Sequence, residues 1–157
     1  MFLINLVPYY QITSGHFLYA DIYRKNPLNT IDLIGISKPK ETFFKASIRN
    51  FSELTGIYLN PICFQPLMTT VTRPRTDIDD FILDDEIIMI PEYYCAVKMP
   101  HLTKQIVSKQ IIFQWKTYEE ITINHSFLID QYAYWELNYR LTNNKMDILP
   151  NRLQTHL

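Results

Sequence analysis

Only three glycines occur in the 157 residues. Two of them, Gly35 and Gly56, bracket a single stretch with a helical hydrophobic period. Between Glu41 and Thr55, Phe44, Ile48 and Phe51 fall on one stripe, which predicts a helix of about four turns. Gly56 follows as the residue that tolerates a left-handed C-terminal cap. The apolar run from Thr30 to Ile36 precedes the helix and reads as a strand, so the chain must turn from strand into helix within a short loop at Gly35, and the helix must lie back on a sheet.

The flanking patterns supply that sheet. Phe2 to Val7 and Phe17 to Arg24 read as strands separated by short turns at Ser14-Gly15 and Asn26-Pro27. Ile57 to Thr72 reads as extended structure interrupted by Pro61 and Pro66, and Ile87 to Met99 and Ile106 to Trp115 are further strands. Thr117-Tyr118-Glu119-Glu120 has the Thr-x-x-Glu spacing of a reciprocal helix cap. Leu128, Tyr132, Trp135 and Tyr139 then give an apolar stripe for a second long helix over about 127–141. This order predicts an α+β domain, helices packed on a mixed sheet, over residues 1–142, with 143–157 as a C-terminal tail.

Composition narrows the class. With 47% hydrophobic and 20% charged residues, the chain can bury one core and is not a disordered sequence. A net charge of −1 gives no whole-molecule attraction to nucleic acid or anionic lipid. The N-terminal apolar run is broken by Pro8 and lacks a basic flank, so it reads as a strand, and no membrane partner is expected. Cys63 and Cys95 stand apart from each other and from His at ligand spacing, which points to a reducing, cytoplasmic compartment. His16, His101, His125 and His156 are scattered, and no Ser, Cys and His arrangement suggests covalent catalysis.

The segment from Gly35 to Ile57 carries the functional information. It runs Gly35, five residues, Glu41, seven residues, then Arg49-Asn50-Phe51-Ser52-Glu53-Leu54-Thr55-Gly56-Ile57. This resembles the signature of the Nudix hydrolases: Gly, five residues, Glu, seven residues, Arg-Glu-aliphatic-x-Glu-Glu-x-Gly-aliphatic. Ala46 stands where the family has a small residue for close helix packing, and Trp115 to Ile121 resembles the passage that leads to its last helix. The resemblance implies a Nudix-like α/β/α sandwich. It further implies a loop carbonyl at Gly35 and carboxylates at Glu53 and Glu41 as metal ligands, with Arg49 orienting them. In the family that set holds Mg²⁺ or Mn²⁺ against a pyrophosphate and activates water.

Two positions depart from the signature: Asn50 stands for a Glu, and Leu54 for the second Glu of the pair. Positions 50, 53 and 54 share one sector of a helix, so a face that would carry three carboxylates carries one. What remains would hold Mg²⁺ or Mn²⁺ weakly or not at all.

Charge is segregated downstream. Asp77, Asp79, Asp80, Asp84, Asp85, Glu86 and Glu92 are followed by Lys98, Lys104, Lys109 and Lys116 without an intervening acid. Lys98, Lys104 and Trp115 are therefore the candidate contacts for a phosphate-bearing or stacked ligand. The expectation is a catalytically impaired Nudix-like domain that binds a nucleotide or other phosphate-containing ligand, an RNA or a protein. The alternative is an active Mg²⁺- or Mn²⁺-dependent hydrolase of a nucleoside diphosphate derivative.

Overall fold

The computed structural model describes residues 1–25, 28–75, 88–123 and 128–150. The acids from Asp77 to Glu86 lie outside the described residues. The elements run β1 (Leu3–Thr13), β2 (His16–Arg24), β3 (Asn29–Thr30), β4 (Leu33–Ile36), α1 (Phe43–Thr55), β5 (Phe64–Arg75), β6 (Ile88–Lys98), β7 (Gln105–Ile106), β8 (Ile111–Lys116), α2 (Tyr118–Ile123) and α3 (Leu128–Thr142).

One mixed sheet in the order β5-β6-β1-β2-β8-β7 organises the chain, with β3 added to β2 and β4 to β1. β1 and β6 are parallel, from Leu3 opposite Glu92 to Tyr9 opposite Lys98. The other edge of β1 is shared. Its first half, Leu3 to Leu6, pairs with β4, and its second half, from Tyr9, pairs with β2. Pro8, which has no N–H to give to a ladder, lies between the two halves, and the sheet forks there.

Strand alternation sends Ile4 and Leu6 to one face with Cys95, Val97 and Phe113, where Phe43, Ala46 and Phe51 of α1 cover them. Val7, Tyr9, Tyr94 and Ala96 face the other way, against Ile121 of α2 and Ala133, Leu137 and Leu141 of α3. The result is an α/β/α sandwich of the expected class.

The first helix begins at Phe43, two residues later than the periodicity predicts. Thr42 takes the N-cap, its Oγ1 accepting from the Lys45 N–H, and Gly56 ends the helix in the left-handed region at φ 76°. Phe51 is fully buried, and the centre of the buried face is Phe43, Ala46, Ser47, Asn50 and Phe51, while Phe44 and Ile48 flank it half-buried. The Thr117–Glu120 cap forms in both directions.

The second long helix is rotated from the expectation. Ala133, Leu137 and Leu141 point inward, whereas Tyr132, Trp135 and Tyr139 are exposed. Glu136 and Arg140 lie on the inward side: Glu136 accepts from the Met68 and Thr69 backbone N–H groups at 2.6 and 2.7 Å, and Arg140 Nε donates to Glu136 at 2.8 Å. These N–H groups lie where the β5–β6 register shifts, between Pro66 and Thr70. A carboxylate on α3 thus satisfies strand donors that the ladder leaves out.

Candidate functional site

Arg49 is the hub of the loop and helix segment. Its guanidinium donates two hydrogen bonds to Glu41, from Nε and Nη2, each at 2.8 Å, one to the Ile36 carbonyl at 2.7 Å, and one to Glu53 at 3.0 Å. Glu41 also accepts from the Lys38 N–H at 2.9 Å. Hydrogen bonds from Arg49 hold the Glu41 carboxyl below the usual carboxylate range, against the upward pull of burial. The Glu41 hydrogen bond in turn raises Arg49. The fork geometry of guanidinium and carboxylate suits this clamp, which ties the loop after β4 to the middle of α1.

Asn50 completes the clamp from the next helical position. Its Nδ2 donates to the Ile36 carbonyl at 3.2 Å and to the Ala46 carbonyl at 2.9 Å. Both partners are acceptors, so the amide orientation follows from them. The side chain lies flush on Gly35: a Cβ placed there would fall 2.1 Å from Asn50 Cγ and 2.2 Å from Oδ1. Gly35 is required for close approach of the helix side chain, its φ not being among the positive ones.

The three positions of the expected metal face therefore differ in kind. Asn50 is buried and turns its amide donor toward carbonyl oxygens, Glu53 is exposed with one oxygen on Arg49, and Leu54 is half-buried against the core beneath α1. A hard dication needs several convergent oxygen ligands, and this donor set does not fit one. Among the described residues, no group of three or more His, Cys, Asp or Glu could hold a metal ion. Glu92 projects from the opposite sheet face, fully buried, its Oε1 accepting from Asn5 Nδ2 at 3.1 Å.

The fork in the sheet holds a cavity of about 40 Å³ on that opposite face, lined by Asn5, Asp21, Asp32, Tyr94, Asp130 and Tyr134 among others. It has room for a few waters. Several of its polar groups are engaged: Asp21 pairs with Lys116 Nζ, outside the lining, at 2.5 Å, and Tyr94 donates to Asp130 at 2.5 Å. Burial first, then Asp32, Asp130 and Asp21, raise the Tyr134 phenol. No sequence spacing signals this acidic cluster, because Asp21 comes from β2, Asp32 from the link between β3 and β4, and Asp130 from α3.

The three candidate ligand contacts do not share a groove. Trp115 belongs to the α1 face, stacked on Phe113 at 6.1 Å with its Nε1 donating to the Thr103 carbonyl at 2.9 Å. Lys98 stands at the end of β6 and lines a polar cavity of about 510 Å³ on the other face, with Tyr9, Gln11, Gln65, Cys63 and Thr142. Gln65 Nε2 is buried there without a hydrogen-bond partner among the described residues. Lys104 is exposed in the segment before β7.

Solved structures resemble this arrangement over nearly the whole chain. A Listeria monocytogenes protein assigned as a Nudix hydrolase superposes with a TM-score of 0.72 over 95% of this chain and 99% of its own, at 18% identity. The chain has the Nudix fold. The Escherichia coli dihydroneopterin triphosphate pyrophosphohydrolase, also 18% identical, gives 0.64 over 87% of this chain and 94% of its own. A Caenorhabditis elegans Ap4A hydrolase complex, 13% identical, gives 0.58 over 90% and 97%. No family model and no curated protein matches the sequence. At these identities, the Nudix likeness is one of fold.

Proposed function

We propose that this chain is a Nudix-fold binding module that does not hydrolyse diphosphates, and that it takes a nucleotide or other phosphate-containing ligand. The observation that carries the reading is the Asn50 amide. It occupies the place of a ligating carboxylate, fills the space over Gly35 and donates to the loop carbonyl of Ile36. A neutral amide offers no charge to a cation, and its one oxygen lies over Gly35 beside Arg49 Nη1. The Lys98 cavity, at about 510 Å³, is of the size of small-ligand sites, and its orphan Gln65 amide donor calls for an oxygen acceptor. The named hydrolases of this fold act on phosphorylated compounds, dihydroneopterin triphosphate and Ap4A, which supports the ligand class.

The purified chain should leave a panel of nucleoside diphosphate derivatives and dinucleoside polyphosphates intact in millimolar Mg²⁺ or Mn²⁺, while ADP or ATP raises its melting temperature without added metal. Lys98→Glu should remove that gain. Metal-dependent turnover abolished by Glu53→Gln would replace this reading with the hydrolase.

A further inference from the structure

The exposed side of α3 is built as a contact surface. Tyr132, Trp135 and Tyr139, spaced by three and four residues, follow one helical seam. With Met68 and Ile148 they are each between 43% and 56% exposed. Trp135 and Tyr139 stack with centroids 5.6 Å apart and planes at 17°, and Lys145 Nζ sits 5.5 Å from the Tyr139 ring. The seam borders a groove of about 470 Å³ floored by apolar surface, with Met68, Thr69 and Ile148 on its walls.

We infer that this face joins two copies of the chain in a twofold dimer through antiparallel packing of α3 on α3. Three observations favour a second copy as the occupant. The first is area. Half-exposed residues of about 200 Å² each leave about 500 Å² of apolar surface in the five side chains. One side of a standard interface is about 800 Å², about 65% of it apolar in homodimers, which requires the same amount.

The second is self-complementarity. A twofold contact must place the same patch on itself. An antiparallel crossing centred beside Trp135 sets Tyr132 of each copy opposite Tyr139 of the other, with the two Trp135 rings together at the axis. The third is charge. Of the ionised groups that line the groove, Glu136 and Arg140 are already consumed: Glu136 by the β5 N–H groups and Arg140, and Arg140 also by the carbonyls of Lys145 and Ile148 at 3.1 and 2.7 Å. Closing the seam would bury no uncompensated charge at its centre, and Lys145 remains at the rim.

Sedimentation velocity on the full chain tests this over a concentration series from low to high micromolar. The expected species has twice the 18.7 kDa chain mass, and Trp135→Glu should return it to monomer while far-UV circular dichroism stays unchanged. Tyr139→Arg, changed at the other end of the seam, should weaken dimerisation at least tenfold, which keeps the test open if the Trp135 variant does not fold. Val107→Glu, at an exposed apolar residue in the turn before β8, should leave the dimer intact. A parent chain that stays monomeric at high micromolar concentration overturns the proposal and leaves the face to a different protein. A folded Trp135→Glu variant that remains dimeric overturns it too.

Discussion

Asn50→Asp changes one NH₂ group into an oxygen and nothing in volume, so it isolates what the amide does. The variant loses two donations, to Ile36 and Ala46, each worth about 1 kcal/mol. It also sets a carboxylate against two carbonyl oxygens in a position only 5% exposed. Arg49 Nη1 at 3.5 Å offsets part of that, leaving a net loss of about 2–3 kcal/mol at neutral pH. In a chain of this size, that corresponds to a fall in melting temperature of about 4–12 °C.

The pH dependence gives the cause away. A buried Asp facing acceptors has its folded pKa raised above the unfolded value of about 3.9. Below that unfolded value the group is protonated in both states and the carboxylic acid can donate to a carbonyl, so the penalty is smallest. It grows as pH rises through the window between the two values and is complete above the folded one. Thermal unfolding of parent and variant between pH 3.5 and 8 should show the difference widening with pH. A variant equal to the parent at pH 7, or a difference that narrows as pH rises, would refute the donor role on which the proposed function rests.

Gly35→Ala should destabilise by about 3 kcal/mol or more, because the new Cβ meets Asn50 at 2.1 Å. Asn50→Ala in the same chain should recover part of the loss, and a double-mutant cycle with no coupling would sink the close-approach explanation. Glu41→Gln should cost about 1–2 kcal/mol at pH 7. Because Arg49 depresses the folded Glu41 pKa, its contribution is present above the unfolded value of about 4.3 and is lost as pH falls through the lower folded value. Parent and variant melting curves should therefore converge in acid, and parallel acid limbs would count against the clamp. Glu136→Ala should cost about 3 kcal/mol, since it strands two strand N–H groups and the buried Arg140, and urea unfolding would measure it.

The sequence made the helix after Gly35 legible because a buried stripe, a capping glycine and a preceding strand all agree there. It misplaced the face of α3 for a physical reason. Two stripes at helical spacing coexist in that helix, and the one with the larger aromatics is the exposed one. The buried stripe is built on Ala133, whose small side chain lets the helix approach the sheet, and on the Glu136–Arg140 pair, which reads in sequence as a solvated face. Strand alternation also separates two of the candidate ligand contacts: Trp115 packs on the α1 face of the sheet, whereas Lys98 lines the cavity on the other face beside Tyr9.

The signature itself divides along a structural line. Gly35, Glu41 and Arg49 all belong to the clamp between loop and helix, and each would be needed for the fold whether or not a cation were ever held. The two departures, Asn50 and Leu54, fall at positions where a carboxylate would contribute charge and no architecture. Asn50 then turns the vacated place to structural use, adding a second hydrogen bond to the Ile36 carbonyl that Arg49 already holds. Apart from the exposed Glu53, the matching residues therefore belong to the clamp, and the nonmatching ones fall where the signature has carboxylates. A loop carbonyl that accepts from both an arginine and an amide is saturated by the protein itself, so restoring a single carboxylate at position 50 would remove a clamp bond before it could recruit a metal.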